Sequence, residues 1–467
     1  MACEFMESTG WVDGALEALE LPLQRGSDFS ELFLEDRAET RVSSDGQRVV
    51  SASSTHLHGA GLYLMCGTET RYGYANDTGA AGLRALAADL AGLYAWERPA
   101  PPSRAAAPCE LELGHPNPIA RDPREVPAAE KKRALQALCD EARAYSPLIV
   151  ECHADYQDRV QNVAVLNSEG RLAREQRVLT TVRLFVTASD GRSTSGSWSH
   201  NTANQGFEYA EDEARRSNIV ARTCGGAIAG LAARAVAPEV MPVVVDSGTF
   251  IHEDCGHPLE SAATGRGLSV FCGKMGEQVA SPLVTIGDSG CFPGLCGTNA
   301  MSDEGEPSRD NVLIRDGVLV GNMVDRLGSR QLGLPNTGAG RRQDYRFAPV
   351  SRMTNTYMAR GTTPTASIIP SVSHGLYVRE VGGGNVNPIT GVFNFLVASG
   401  NIIENGELTY PVANINLSGQ SIDALLRIAA VGDEWMPDPG SLCGASSGLV
   451  PVTAFMPRIL IDGMMVG

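Results

Sequence analysis

Two of the eight histidines in this 467-residue chain fall in one short segment, His252-Glu253-Asp254-Cys255-Gly256-His257. Imidazole is among the side chains that bind zinc best, and a hydrolytic zinc site takes three protein ligands and keeps one position open. A glutamate directly after the first histidine is the group that would act as general base toward a metal-activated water. The familiar zinc-peptidase signature spaces its histidines four apart, on one helix face. Here they are five apart, and five steps of about 100° leave the side chains roughly 140° apart on a straight α-helix. A π-turn, hydrogen-bonded i to i+5, or a helix ending near Gly256 would bring both to one ion. Gly256 and Pro258 suit such a local break. Spacing alone does not separate this reading from two unrelated surface or core histidines.

The elements that must position this segment follow from periodicity. Residues 12–22 and 83–94 carry helical patterns, and between them a strand-rich stretch from 31 to 74 turns at Ser44-Asp45-Gly46-Gln47. Residues 97–127 shift to Pro, Ala and Arg and read as a connection. An amphipathic helix over 129–145 would bury Ala134, Leu135, Leu138, Ala142 and Tyr145. Residues 148–188 alternate as strands around a hairpin at Asn167-Ser168-Glu169-Gly170, and 212–236 are helical and rich in small residues. This order suggests two similar subunits, 1–96 and 128–237. From 238 onward long helices are scarce, and Arg315-Asp316-Gly317 and Glu404-Asn405-Gly406 fit type I′ hairpins. The expected fold is α+β: an N-terminal domain of mixed sheets and helices over 1–237, then a mostly β domain over 238–467 that carries the metal site.

Composition narrows the function classes. Apolar residues at 43% are ordinary for a globular protein, while 51 glycines and 26 prolines favour turns and sheets over a helical bundle. A net charge of −16 repels phosphate backbones, which argues against nucleic-acid binding, but does not by itself establish a taste for basic peptides. The start, Met-Ala-Cys-Glu-Phe-Met, lacks the basic and apolar regions of a secretory signal. Residues 381–403 are uncharged, yet their Gly, Asn and Pro content reads as strand and loop, so no membrane helix is expected. Eleven scattered cysteines imply reduced thiols and a cytoplasmic location.

Downstream motifs strengthen the metal reading. Gly305-Glu306-Pro307, Gly338-Ala339-Gly340-Arg341-Arg342-Gln343, Arg352-Met353-Thr354-Asn355-Thr356-Tyr357-Met358, Gly382-Gly383-Gly384 and Thr409-Tyr410-Pro411-Val412 occur in the order that follows H-E-x-x-x-H in the TldD/PmbA family of peptidases. The chain resembles that family over nearly its whole length, most specifically from about 245 to 467. The resemblance implies a peptidase with one Zn2+ per chain, held by His252, His257 and a distant cysteine that follows an acidic-proline-glycine stretch. Here that stretch is Asp438-Pro439-Gly440-Ser441-Leu442-Cys443-Gly444, so Cys443 is the implied third ligand and Glu253 the implied base. The sequence departs from the family just beyond, where Ala445-Ser446-Ser447-Gly448-Leu449 replaces a basic residue and a Gly-Gln pair. The PmbA (TldE) branch lacks the intact metal motif, so the retained ligands place this chain with the catalytic branch. The resemblance further implies unfolded or modified peptides bound as extended strands, and a dimer, either with itself or with a PmbA/TldE-type subunit.

Other residues have plainer readings. Cys255 is expected to pack, and Cys272, Cys291 and Cys296 to be buried thiols. His56 and His58 share a strand face as exposed or satisfied histidines, and His200 and His374 have no evident partners. Gly382-Gly383-Gly384-Asn385 lacks the lysine of a phosphate loop and reads as a turn. Arg341-Arg342 suits either a peptide carboxylate or a structural ion pair, and Asn355 is a candidate for substrate contact. An alternative function is a non-catalytic peptide-binding or assembly subunit with a structural metal. Glu253 argues against it, because a structural site needs no base and usually carries four ligands.

Overall fold

A computed structural model describes residues 4–114, 116–412, 414–436 and 439–467. Asp438, in the stretch before Cys443, and the first three residues of the chain lie outside the described residues. The chain is α+β and built on two large sheets. In the first, Glu69–Ala75, Val49–Cys66, Phe29–Ser44, Ile149–Asn167 and Arg171–Ser189 lie side by side, with Thr194–Ala203 and Cys109–Glu110 both pairing with the last. The two halves join where Phe29–Ser44 runs antiparallel to Ile149–Asn167.

Alternation along these strands sorts side chains between two faces. Leu32 and Leu34 turn toward helices Val12–Gln24 and Ala80–Gly92, packing with Leu19, Leu83 and Ala87. In the other half, Leu184 and Val186 meet Leu135 and Leu138 of helix Ala128–Tyr145 and Ile219 and Cys224 of helix Glu213–Leu231. Tyr145, expected on the buried face, is exposed. Lys131 is buried instead, because its ammonium donates to the equally buried Asp158.

The opposite face of the same strands carries Glu31, Phe33 and Glu35, and it packs against the C-terminal half. Phe33 joins Val163, Val165, Met301 and Tyr345 in one apolar cluster. Around it lie buried charges: Arg342 donates to Glu31 at 3.0 Å and to the Asp303 carbonyl at 2.7 Å, and Arg177 pairs with Asp303 and Glu175. Arg342 has no exposed side-chain surface. It is therefore a structural ion-pair residue that neutralises a buried carboxylate.

The second sheet closes on itself. Gly448–Val466 pairs with Ile415–Gln420, which pairs with Val392–Glu404, then His374–Val386, then Glu239–Val245, which returns to Gly448–Val466. Phe393, Phe395, Leu417, Ile459 and Ile461 fill the space between these strands. Both expected tight hairpins are present: Asp316 and Gly317 (φ 49° and 82°) and Asn405 and Gly406 (φ 53° and 81°) have the paired positive φ angles of a type I′ turn.

One buried carboxyl at the junction titrates in an accessible range. Burial pushes Glu304 up to about 8, and Asp325 and Glu31 add to it. The folded protein thus keeps a proton that the unfolded chain releases, so stability present at low pH is lost as pH rises through that value. Glu304→Gln removes this loss. The melting temperature of the variant relative to the parent should climb as pH rises from the ordinary carboxylate value of 4.5 to about 8 and level off above it; a constant difference across that range would show that Glu304 does not titrate there.

Candidate metal centre

Strand Glu239–Val245 is hydrogen-bonded on both sides, parallel to His374–Val386 and antiparallel to Gly448–Val466, so its end is held firmly. Asp246 extends that anchorage by accepting from Arg458 at 2.7 and 2.8 Å and from the Tyr377 hydroxyl at 2.7 Å. The chain then enters helix Thr249–Ile251, whose Phe250 ring sits edge-on to Phe393 and Phe395.

Residues His252–Gly256 form one π-helical turn, and the His257 N–H donates to the His252 carbonyl. The widened turn carries the five-residue separation without leaving the helix, and it puts the two imidazoles on one side. Their rings lie 5.1 Å apart at 82°. Gly256 is required by close approach: a Cβ there would fall 1.9 Å from Met353 Sδ.

Cys443 arrives from 186 residues away. It lies on strand Ser441–Ala445, which forms a hairpin with the start of Gly448–Val466 and sets Cys443 opposite Val450. Its Sγ is 3.2 Å from His252 Nε2 and 3.3 Å from His257 Nε2. The three donor atoms lie within 4.8 Å of one another, a spacing that fits a metal ion between them. Two imidazole nitrogens and one sulfur are the donor chemistry that zinc prefers.

Glu260 was not singled out by its sequence. Its Oε2 lies 3.4 Å from His257 Nδ1, while Oε1 is 3.4 Å from Arg352 Nε and accepts from the Met353 N–H at 3.3 Å. A carboxylate on the far nitrogen directs Nε2 toward Cys443, the second-layer arrangement usual for metal-bound histidine. The i+3 spacing from His257 was the signal that could have found it.

Electrostatics differ across the site. Burial, helped by His257 and Arg352, holds His252 well below the usual histidine range. Burial also opposes charging of His257, but Glu260 and Cys443 outweigh it and hold this residue well above. Burial lifts the Glu253 carboxyl, with His257 opposing and Glu260 adding.

Glu253 and the three donors line one cavity of about 1440 Å³. Its far wall comes from the first sheet, through Thr194–Ala203 and helix Glu213–Leu231, and nothing in the sequence marked those residues. Gly382, Gly383 and Gly384 also line it, from inside strand His374–Val386 and not from a turn; the register against Val392–Glu404 shifts at Val381 and Gly383.

Asn355 takes no part in this cavity. It is fully buried, donating to the Ser289 carbonyl at 2.7 Å and Thr298 Oγ1 at 2.8 Å and accepting from the Gly297 N–H at 3.0 Å, so no polar atom remains for substrate. Cys255 packs in the apolar core. Cys296 is buried, but Cys272 and Cys291 are exposed, contrary to the expectation from sequence. His56 and His58 both bond Asp36 Oδ2, at 2.9 and 3.3 Å. His200 lines the cavity, and burial, with Arg183 nearby, pushes it down to about 4.

Known proteins share both sequence and fold with this chain. The family model of the PmbA/TldA metallopeptidase C-terminal domain matches residues 238–467, and that of the central domain matches 121–236. A metalloprotease TldD homolog of Haemophilus influenzae is 32% identical over 97% of this chain and 95% of its own length. A crystal structure of a Thermotoga maritima protein superposes with a TM-score of 0.80 at 18% identity, covering 99% of this chain and 100% of the other. TldE from Thermococcus kodakarensis gives 0.73 at 17% identity over 97% of this chain and 100% of its own. The structural matches establish a shared fold, the full-length sequence match goes further, and the chain belongs to the PmbA/TldD family of metallopeptidases.

Proposed function

We propose that this protein is a zinc-dependent peptidase acting on unfolded or modified peptides. The observation that carries the reading is the convergence of His252, His257 and Cys443 on one point, with Glu253 facing the same open cavity. Among the described residues three donors gather there, which leaves a fourth position for water or substrate, as a catalytic zinc site requires. When bound, zinc polarises the peptide carbonyl and acidifies water. Glu253 accepts the proton of the attacking water and delivers it to the leaving amine. Glu260 keeps the His257 ring in register, and Arg352 balances the charge of Glu260.

Residues 238–467 form the metallopeptidase domain in this reading, and 1–237 supply the facing wall. Two short edges line the cavity, Ser441–Ala445 and Thr194–Ala203, so a peptide can pair there as an extended strand. That mode reads backbone more than side chains, and it demands unfolded substrate. The chain acts as a dimer, with itself or with a PmbA/TldE-type subunit, in the cytoplasm. Among the described residues no helix is long and apolar enough to cross a membrane.

Purified protein should cleave an unfolded peptide library, lose that activity to a chelator, and regain it with zinc. Cleavage that survives complete metal removal would sink the reading. Glu253→Gln should retain the metal by elemental analysis and lose about 10²–10⁴-fold in turnover; a fully active variant would remove Glu253 from the chemistry. Glu260→Gln should weaken zinc binding by about 10–100-fold in a chelator competition. An unchanged zinc affinity would show that His257 needs no orienting carboxylate.

A further inference from the structure

We propose that the cavity recognises a carboxylate of its peptide substrate, from an acidic side chain or a free C-terminus, through Arg222, Arg266 and Arg379. This rests on the peptidase reading above and names the substrate class of that site.

All three arginines line the cavity that holds His252, Glu253 and Cys443. They reach it from different elements. Arg379 is exposed on strand His374–Val386, which packs against the π-turn. Arg266 is exposed just after helix Ser261–Thr264, whose N-cap is the orienting Glu260. Arg222 lies half-buried on helix Glu213–Leu231, in the opposite wall.

Among the described residues none of these guanidinium groups has a carboxylate within ion-pair distance. The lining carboxylates are mostly committed elsewhere: Asp246 to Arg458, and Glu260 to His257 and Arg352. Glu253 is held for proton transfer, which leaves Glu380 as the remaining lining acid. The cavity therefore presents unpaired positive charge inside a protein whose net charge is −16.

That contrast decides between two expectations. An acidic surface taken alone favours basic peptides, but its field is screened over about 8 Å at physiological salt. Guanidinium groups inside a cleft act at contact, where a paired fork of N–H donors on a carboxylate is both stronger and more selective. Exposed Leu268, Ile389 and Leu396 line the same space, so apolar side chains beside the carboxylate are accommodated.

The test uses full-length Glu253→Gln protein, which should bind without cleaving, and labelled unfolded peptides of one length that differ in a central Glu, Gln or Lys. Each is made with a free and an amidated C-terminus. The Glu peptide should bind about tenfold tighter than the Gln peptide, and the Lys peptide weaker still. The advantage should shrink at high salt and in the added pair Arg266→Gln and Arg379→Gln. If instead the Glu and Gln peptides bind alike but each loses about tenfold on amidation, the C-terminus is the recognised carboxylate.

Equal affinities across all the peptides, free and amidated alike, a preference for Lys, or no binding of any peptide would overturn the proposal. Should the Glu253 variant fail to fold, the ratio of KM values for the same peptides on the parent protein reads the same discrimination. The two proposals fail differently: a parent that binds acidic peptides selectively but cleaves none defeats the peptidase reading alone. Charge-blind cleavage defeats only this one.

Discussion

One hydrogen bond, from the His257 N–H to the His252 carbonyl, sets the geometry of the whole site. It makes a single turn wide enough to carry two histidines five residues apart to one side of the backbone. Such turns are rare and pack less well than α-helix, so the surroundings must hold this one in place. Phe250 does so from before the turn, against Phe393 and Phe395, and Met353 does so alongside, in the space that Gly256 leaves vacant. The closed ring of strands provides the frame. Glu239–Val245 delivers the turn, and Gly448–Val466, one of its neighbours in that ring, carries the hairpin with Cys443. Both halves of the donor set thus hang from adjacent strands.

The second organising feature is the charge buried between the two sheets. Glu31, Glu35, Asp303, Glu304 and Arg342 all lie out of water there, and Arg177, which pairs with Asp303, is mostly covered. Burying such groups is costly unless each is paired, and breaking a pair costs more than the pair contributes. The arrangement works as a registry device: alternation puts Glu31, Phe33 and Glu35 on the face opposite Leu32 and Leu34, so only one docking of the halves satisfies them. That docking brings Thr194–Ala203 and helix Glu213–Leu231 across from the metal centre and encloses the cavity. Part of the acidic composition is therefore spent inside the molecule.

Local features were legible because they depend on near neighbours. The Asp-Gly and Asn-Gly turns require positive φ at both central residues, and only such residues adopt it readily. The helix over 128–145 was visible in its apolar spacing, although Tyr145 at its end escapes burial and Lys131 is drawn inward by Asp158, a partner on a distant strand. The same limit explains the other misplacements. Cys272 and Cys291 stay exposed and Asn355 is spent on Ser289, Gly297 and Thr298, because burial and partnership are set by what folds over a residue. Three consecutive glycines suggest a turn, yet they continue a strand whose register slips to admit them.

By itself, the sequence determined the donor types, the strained five-residue spacing and the family. It also narrowed the ways of relieving that spacing to a π-turn or a broken helix, because backbone geometry permits few others. Only the tertiary structure decided that the π-turn is the one used, that Glu260 and not a neighbouring acid orients His257, and that Cys443 closes the triangle. It alone showed the facing wall and its arginines. Those features depend on contacts between segments far apart in the chain, and periodicity within a segment carries no information about which distant surface will meet it.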